Sequence, residues 1–147
     1  MALTNSQVVP AIAAGRDAEN GTGSFWGSGS PSRWTRANRG YIPEKVGRAM
    51  DAVAEENGGI EAIVMSYATP IALKIAGVWL RPDVSYSATT STRHATHLWQ
   101  LGCRWLPADA TAQDVADVIA GYTVYDPRTQ KMSRGPVVRP GNKAAAA

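Results

Sequence analysis

The sequence predicts an α+β domain in which a central β-hairpin packs against helices, and two patterns carry that prediction. Residues 62–75 alternate with period two: Ile63, Met65, Tyr67, Thr69, Ile71, Leu73 and Ile75 form a mostly apolar set, and the parity reverses after Ala76-Gly77 to Val78, Leu80, Pro82, Val84 and Tyr86. Flanking segments instead repeat apolar residues every three or four positions, as helices do. A two-residue turn at Ala76-Gly77 reconciles the two parities. It pairs Ile75 with Val78, Leu73 with Leu80, Thr69 with Val84 and Tyr67 with Tyr86 on one face, giving a hairpin over about 62–75 and 78–87. Pro82 falls where a ladder N–H is wanted, so a bulge near Arg81-Pro82 or a longer turn is expected.

The elements follow in chain order. Residues 4–14 read as a short helix capped by Asn5 or Ser6, weakened by Pro10 and ended by Gly15. Residues 20–34, NGTGSFWGSGSPSRW, are dominated by glycine and serine and read as a flexible loop. Phe25, Trp26 and Trp34 within it are expected to dock on the core or on a partner. Residues 43–57 form the clearest helix, with Pro43 and Glu44 in its first turn, Val46, Met50, Val53 and Ala54 as its stripe, and Gly58-Gly59 beyond its end. After the hairpin, Thr90 or Ser91 caps a helix over 91–101, which Gly102 ends. Residues 111–120 form another helix, with Thr111 and Asp114 as a capping box and Val115, Val118 and Ile119 buried. Tyr122 to Tyr125 offers a third strand to the hairpin, which is too weak to stand alone. The organisation expected is therefore an N-terminal helix and flexible aromatic segment over 1–42, a globular core over 43–125, and a basic extended tail over 126–147.

Composition narrows the function classes. A chain of 147 residues with 44% hydrophobic and 18% charged residues suits one folded domain rather than a disordered segment. The net charge of +3 permits an anionic partner without demanding one. The single cysteine, Cys103, excludes a disulfide scaffold and a multi-thiolate zinc site. The N-terminus lacks the basic start and apolar run of a signal peptide, and no stretch reaches membrane-spanning length. A protein working inside a cell, or in a particle assembled there, with no membrane partner is the expectation.

No phosphate loop, dinucleotide fingerprint or nucleophile elbow occurs, so no cofactor and no catalytic residue are assigned. His94 and His97 stand three apart on the 91–101 helix, a spacing that puts two imidazoles on one metal only if a third ligand joins them. The ordinary alternative is one histidine packed beside Leu98 and Leu101 and the other solvated. Residues 25–41, FWGSGSPSRWTRANRGY, hold a more informative constellation. Arg33, Arg36 and Arg39 interleave with Trp26, Trp34 and Tyr41, combining phosphate-binding cations with faces on which bases stack. The same residue types also make protein interfaces, or bury against the hairpin with the arginines solvated. Finally, the N–H groups opening the helix near Thr90, with Ser91 and Arg93, are candidate acceptors of a phosphate or carboxylate.

Residues 66–72, SYATPIA, followed by 86–94, YSATTSTRH, resemble a pattern found in small phage and plasmid proteins of no known activity. The alanine- and tryptophan-rich composition looks like that of a phage of a high-GC actinobacterial host. In this sequence one more residue separates Thr90-Ser91 from His94 than in that pattern. The resemblance implies a viral or mobile-element origin and a host-cytoplasmic or virion location. Combined with the hairpin register, it nominates Tyr67, Thr69, Tyr86, Thr90, Ser91 and His94 as one pocket. Three functions are then open: a non-enzymatic accessory protein binding nucleic acid or a host protein, a virion or assembly component whose arms order against neighbouring subunits, and a small hydrolase using His94 or His97.

Overall fold

The computed structural model describes residues 3–29 and 42–141. The fold is α+β, and its sheet is larger than a hairpin. Six strands run in the order β1 (Ala18–Glu19), β2 (Phe25–Ser28), β3 (Ala62–Ser66), β4 (Thr69–Ile75), β5 (Val78–Pro82) and β6 (Arg104–Leu106). Neighbours are antiparallel except β5 and β6, which are parallel and joined by a helical crossover. Helices cover both faces. Against one lie α2 (Glu44–Glu56) and α3 (Ala112–Ala120), with Ile63, Met65, Leu73, Ile75, Leu80 and Leu106 beneath them. Against the other lie α1 (Asn5–Ala13) and a 3-10 helix (Ala95–Leu101), over Phe25, Ala62, Val64, Ile71 and Ala72. Every residue of β3 is buried, as a two-sided core requires.

The long strand expected over 62–75 is two strands. They are joined by a tight turn at Tyr67-Ala68, with Ser66 opposite Thr69. Sequence alternation hides this turn for a definable reason. A two-residue turn inverts parity, but a bulge follows: Val64 pairs with Ala72 and Met65 with Pro70, leaving Ile71 as the extra residue. The bulge inverts parity again, so Ile63 and Leu73 are matched and the period-two pattern runs on unbroken. Pro70 fits because the ladder is irregular there.

At the other turn the expected register holds, with Ile75 opposite Val78 and Leu73 opposite Leu80. Ala76 and Gly77 both take positive φ, 50° and 79°, as a type I′ turn demands. The pairing stops at Leu80, and β5 ends at Pro82, which has no N–H to extend a ladder. Asp83 instead gives its N–H to the carbonyl of Leu106, the last residue of β6. The pairs expected between Thr69 and Val84 and between Tyr67 and Tyr86 do not form, and residues 83–87 are irregular.

Residues 20–29 are not a flexible loop, because β2 is built in between β1 and β3 and Phe25 is core. The glycines there serve close packing: a Cβ on Gly27 would lie 2.1 Å from the Ile63 carbonyl oxygen and 2.6 Å from Ile12 Cδ1. The third strand expected near 122–125 exists as β7 (Thr123–Asp126). It pairs with β8 (Lys131–Arg134) in a separate ribbon rather than extending the hairpin. The basic tail is thus folded back as far as residue 141, not an extended arm. Arg139 fastens it, pairing with Asp117 at 2.6 Å and lying over the Tyr122 ring.

Helices α2 and α3 start and stop where their stripes predict, and Thr111 and Asp114 close the capping box with bonds of 3.0 and 3.1 Å. Thr4 rather than Asn5 or Ser6 caps α1, its N–H donating to Gln7 Oε1. Arg104 donates to the carbonyls of Val118 and Ile119 and so neutralises the C-terminus of α3. No helix among the described residues is long and apolar enough to cross a membrane.

Two substitutions test these assignments. Ala76→Asn creates the preferred Asn-Gly turn and relieves a left-handed alanine, raising stability by about 0.5–1 kcal/mol in urea titration. Gly27→Ala forces β2 off β3 and α1 and lowers stability by about 1–3 kcal/mol or more.

Candidate functional site

Strand parity decides what meets at the end of β3. Ala62 and Val64 point to the α1 face, so Ser66 does too, and Phe25, opposite Ser66, shares that face. Facing them is a π-helical turn, Thr90–His94, closed by an N–H of Ala95 donating to the Thr90 carbonyl. A π turn holds one residue more than an α turn. Here it leaves Thr90 and His94 both buried.

Ser66 Oγ lies 2.6 Å from His94 Nδ1 and 2.8 Å from Thr90 Oγ1. Ser87 Oγ donates to Thr90 Oγ1 at 3.1 Å and accepts the Thr90 backbone N–H at 3.2 Å. One proton arrangement that these contacts allow runs in a single direction: Thr90 Oγ1 receives the Ser87 hydroxyl and donates to Ser66, and Ser66 donates to Nδ1. A one-way chain results, Ser87 to Thr90 to Ser66 to His94, in which each bond polarises the next. In that arrangement His94 is neutral and carries its proton on Nε2. Burial, and after it the charges of His97 and Arg93, hold its pKa below the ordinary histidine value. Its ring stacks flat on Phe25, with centroids 4.7 Å apart and planes within 3°.

Tyr67 follows Ser66 in a left-handed conformation, φ 52°, unusual for a bulky side chain. Its backbone is held on both sides: its N–H donates to the Ser24 carbonyl at 2.7 Å, and its carbonyl accepts the Trp26 indole N–H at 2.9 Å. The ring stands 5.6 Å from His94, yet 54% of the residue is exposed.

The structure gathers Tyr67, Thr90 and His94 into this cluster, with Thr69 across from Ser66. It leaves out two residues expected there. Tyr86 packs among apolar neighbours near Arg81 and Cys103, its hydroxyl buried without a partner among the described residues and its pKa pushed up to about 12 by burial. Ser91 is exposed, and its hydroxyl donates to the Tyr86 carbonyl at 3.5 Å. The helix-start N–H groups expected to take an anion are already used: that of Thr90 by Ser87 Oγ, that of Ser91 by the Ser87 carbonyl. Arg33, Trp34, Arg36, Arg39 and Tyr41 lie outside the described residues, and of that constellation only Trp26 is placed.

Sequence reasoning missed Ser66 and Ser87, the middle and the start of the chain. The available signal for Ser66 was a lone hydroxyl in line with Ala62 and Val64. As chemistry, the Ser66–His94 contact has the reach of a nucleophile and its base, but Ser66 is 1% exposed and its oxygen is already shared with Thr90. Burial pushes the Cys103 thiol up to about 11, so it is not a thiolate. Among the described residues no group of three or more His, Cys, Asp or Glu is placed to hold a metal, His94 and His97 included.

Fold and site together define a small three-layered α+β domain organised around a buried hydroxyl–imidazole chain, with exposed aromatics at its margin. The chain belongs to a family of unknown function (DUF8033), matched over residues 30–104, a span that holds most of the cluster. No curated protein and no solved structure matches it.

Two measurements test the cluster. The folded state resists protonating His94 while the unfolded chain accepts the proton, so stability is full above the ordinary value of 6.5 and is lost as pH falls below it. The urea midpoint should fall between pH 7.5 and 5, and His94→Phe should flatten that fall. Ser66→Ala leaves Nδ1 buried and unpaired and should cost about 1–3 kcal/mol at pH 7.5.

Proposed function

We propose that this chain is a non-enzymatic, phage-encoded accessory protein that binds single-stranded nucleic acid in the host cytoplasm. One observation carries the reading: Tyr67 is held in a strained left-handed turn with its ring outward, locked by the Trp26 indole. Trp26 is itself 37% exposed, at the same end of the sheet. Strain of this kind persists only where the surroundings enforce it, and it is typical of groups set in place for binding. Exposed aromatic faces held rigid suit stacking of successive bases, which tolerates any sequence.

The arginines at 33, 36 and 39 support the same reading from the sequence. They follow directly in the chain from β2, the strand that carries Trp26, and supply the phosphate contacts that stacking lacks. The phage resemblance of SYATPIA and YSATTSTRH supports the origin. A host protein bound by the same rings, or an assembly of many copies, is a distinct outcome of the test below.

Titration with single-stranded oligonucleotides over a range of salt concentrations checks the proposal. Binding should weaken with salt. Changing Arg33, Arg36 and Arg39 together to alanine should reduce the slope of log K on log salt by about 2, given roughly 0.7 per phosphate contact on single strands. Tyr67→Ala should weaken binding by about 1–3 kcal/mol. No binding at low salt, or a large oligomer by light scattering that binds no oligonucleotide, would refute it.

A further inference from the structure

Beside Tyr67 a cleft of about 530 Å³ opens, within the roughly 300–1,000 Å³ usual for small-molecule sites. Its walls are the start of α1, the 20–24 loop, Tyr67, and the Arg93-His94 pair. These parts are bonded to one another. Asn20 Nδ2 donates to Asn5 Oδ1 at 2.8 Å and to Ser24 Oγ at 3.1 Å, and Asn5 Nδ2 donates to the Arg93 carbonyl at 3.2 Å. The cleft is thus shaped before any ligand arrives.

Its polarity is one-sided. None of the described lining residues is acidic, and the one side chain with a formal charge is Arg93. His94 adds its second ring nitrogen: Nδ1 is engaged by Ser66, so Nε2 is the atom left for a ligand, and it donates when Ser66 donates to Nδ1. An arginine fork, which cannot accept, beside an imidazole nitrogen that Ser66 sets as a donor by donating to Nδ1, calls for a ligand rich in acceptors and negative charge. The exposed Tyr67 ring adds a flat face at the rim.

We propose that this cleft binds a nucleoside monophosphate, its phosphate oxygens on Arg93 and His94 Nε2 and its base against Tyr67. The buried hydroxyl chain then has a purpose beyond cohesion, because it fixes the tautomer that presents a donor to the phosphate. The site shares only Tyr67 with the strand-binding reading and does not require it.

Calorimetric titration of the full chain with adenosine 5′-monophosphate, adenosine and inorganic phosphate provides the test. The monophosphate should bind at one site, with adenosine and phosphate each about tenfold weaker or more. Arg93→Ala should weaken the monophosphate about tenfold while leaving the unfolding midpoint unchanged, since among the described residues Arg93 bonds through its backbone carbonyl rather than its side chain. The Arg33, Arg36 and Arg39 triple variant should bind the monophosphate as the parent does. Failure of the monophosphate to bind, equal binding of adenosine, equal binding of free phosphate, or indifference to Arg93→Ala would each overturn the proposal. If oligonucleotides fail to bind while the monophosphate binds, the strand reading falls and this one stands.

Discussion

The contact between Ser66 Oγ and His94 Nδ1 joins two parts of the fold that lie 28 residues apart in the chain. One partner ends a central strand, and the other lies in the crossover between the parallel strands β5 and β6. Both are buried, so neither can fall back on water, and an unpaired buried group costs about 1–3 kcal/mol. Meeting that demand constrains the surroundings. The crossover must present Thr90 and His94 on one side, which the π turn does. Phe25 must lie flat under the imidazole, which fixes β2 against β3. The turn after Ser66 must then reverse within two residues, which drives Tyr67 into positive φ and its ring outward.

The two-sided sheet makes such a contact necessary. Helices α2 and α3 bury one face with ordinary aliphatic packing. The other face is covered by a nine-residue helix containing Pro10 and by a 3-10 helix, both weak elements. Polar ties compensate on that side: Asn5 to Arg93, Asn20 to Asn5 and Ser24, and the hydroxyl chain to His94. The exposed aromatics and the cleft lie at the margin of this polar side, where the scaffold is held by directional bonds rather than by bulk.

Much of the first core was legible in the sequence, because its signals are local. The stripes of α2 and α3, the Thr111–Asp114 box and the parity switch at Ala76-Gly77 each depend on neighbours in the chain. The second core was not. The turn at Tyr67-Ala68 is concealed because the Ile71 bulge restores the alternation that the turn breaks. The segment holding Phe25 reads as loose because its glycines suggest freedom, whereas Gly27 is glycine for want of space beneath Ile12. Of the site, Tyr67, Thr90 and His94 were named from the SYATPIA and YSATTSTRH pattern. Tyr86 was named with them, and the register expected to set it beside Tyr67 is cut short at Pro82. Ser66 and Ser87 acquire their roles only when β3 and the π turn are brought together, a long-range fact that no local pattern encodes.

The account rests on the direction of the hydroxyl chain, and nitrogen-15 NMR of the His94 ring reads that direction. At neutral pH the account predicts a neutral ring protonated on Nε2, with an unprotonated, hydrogen-bonded Nδ1 whose resonance moves when Ser66 is changed to alanine. A ring protonated on Nδ1, or one that takes up its second proton at the ordinary histidine value, would contradict it.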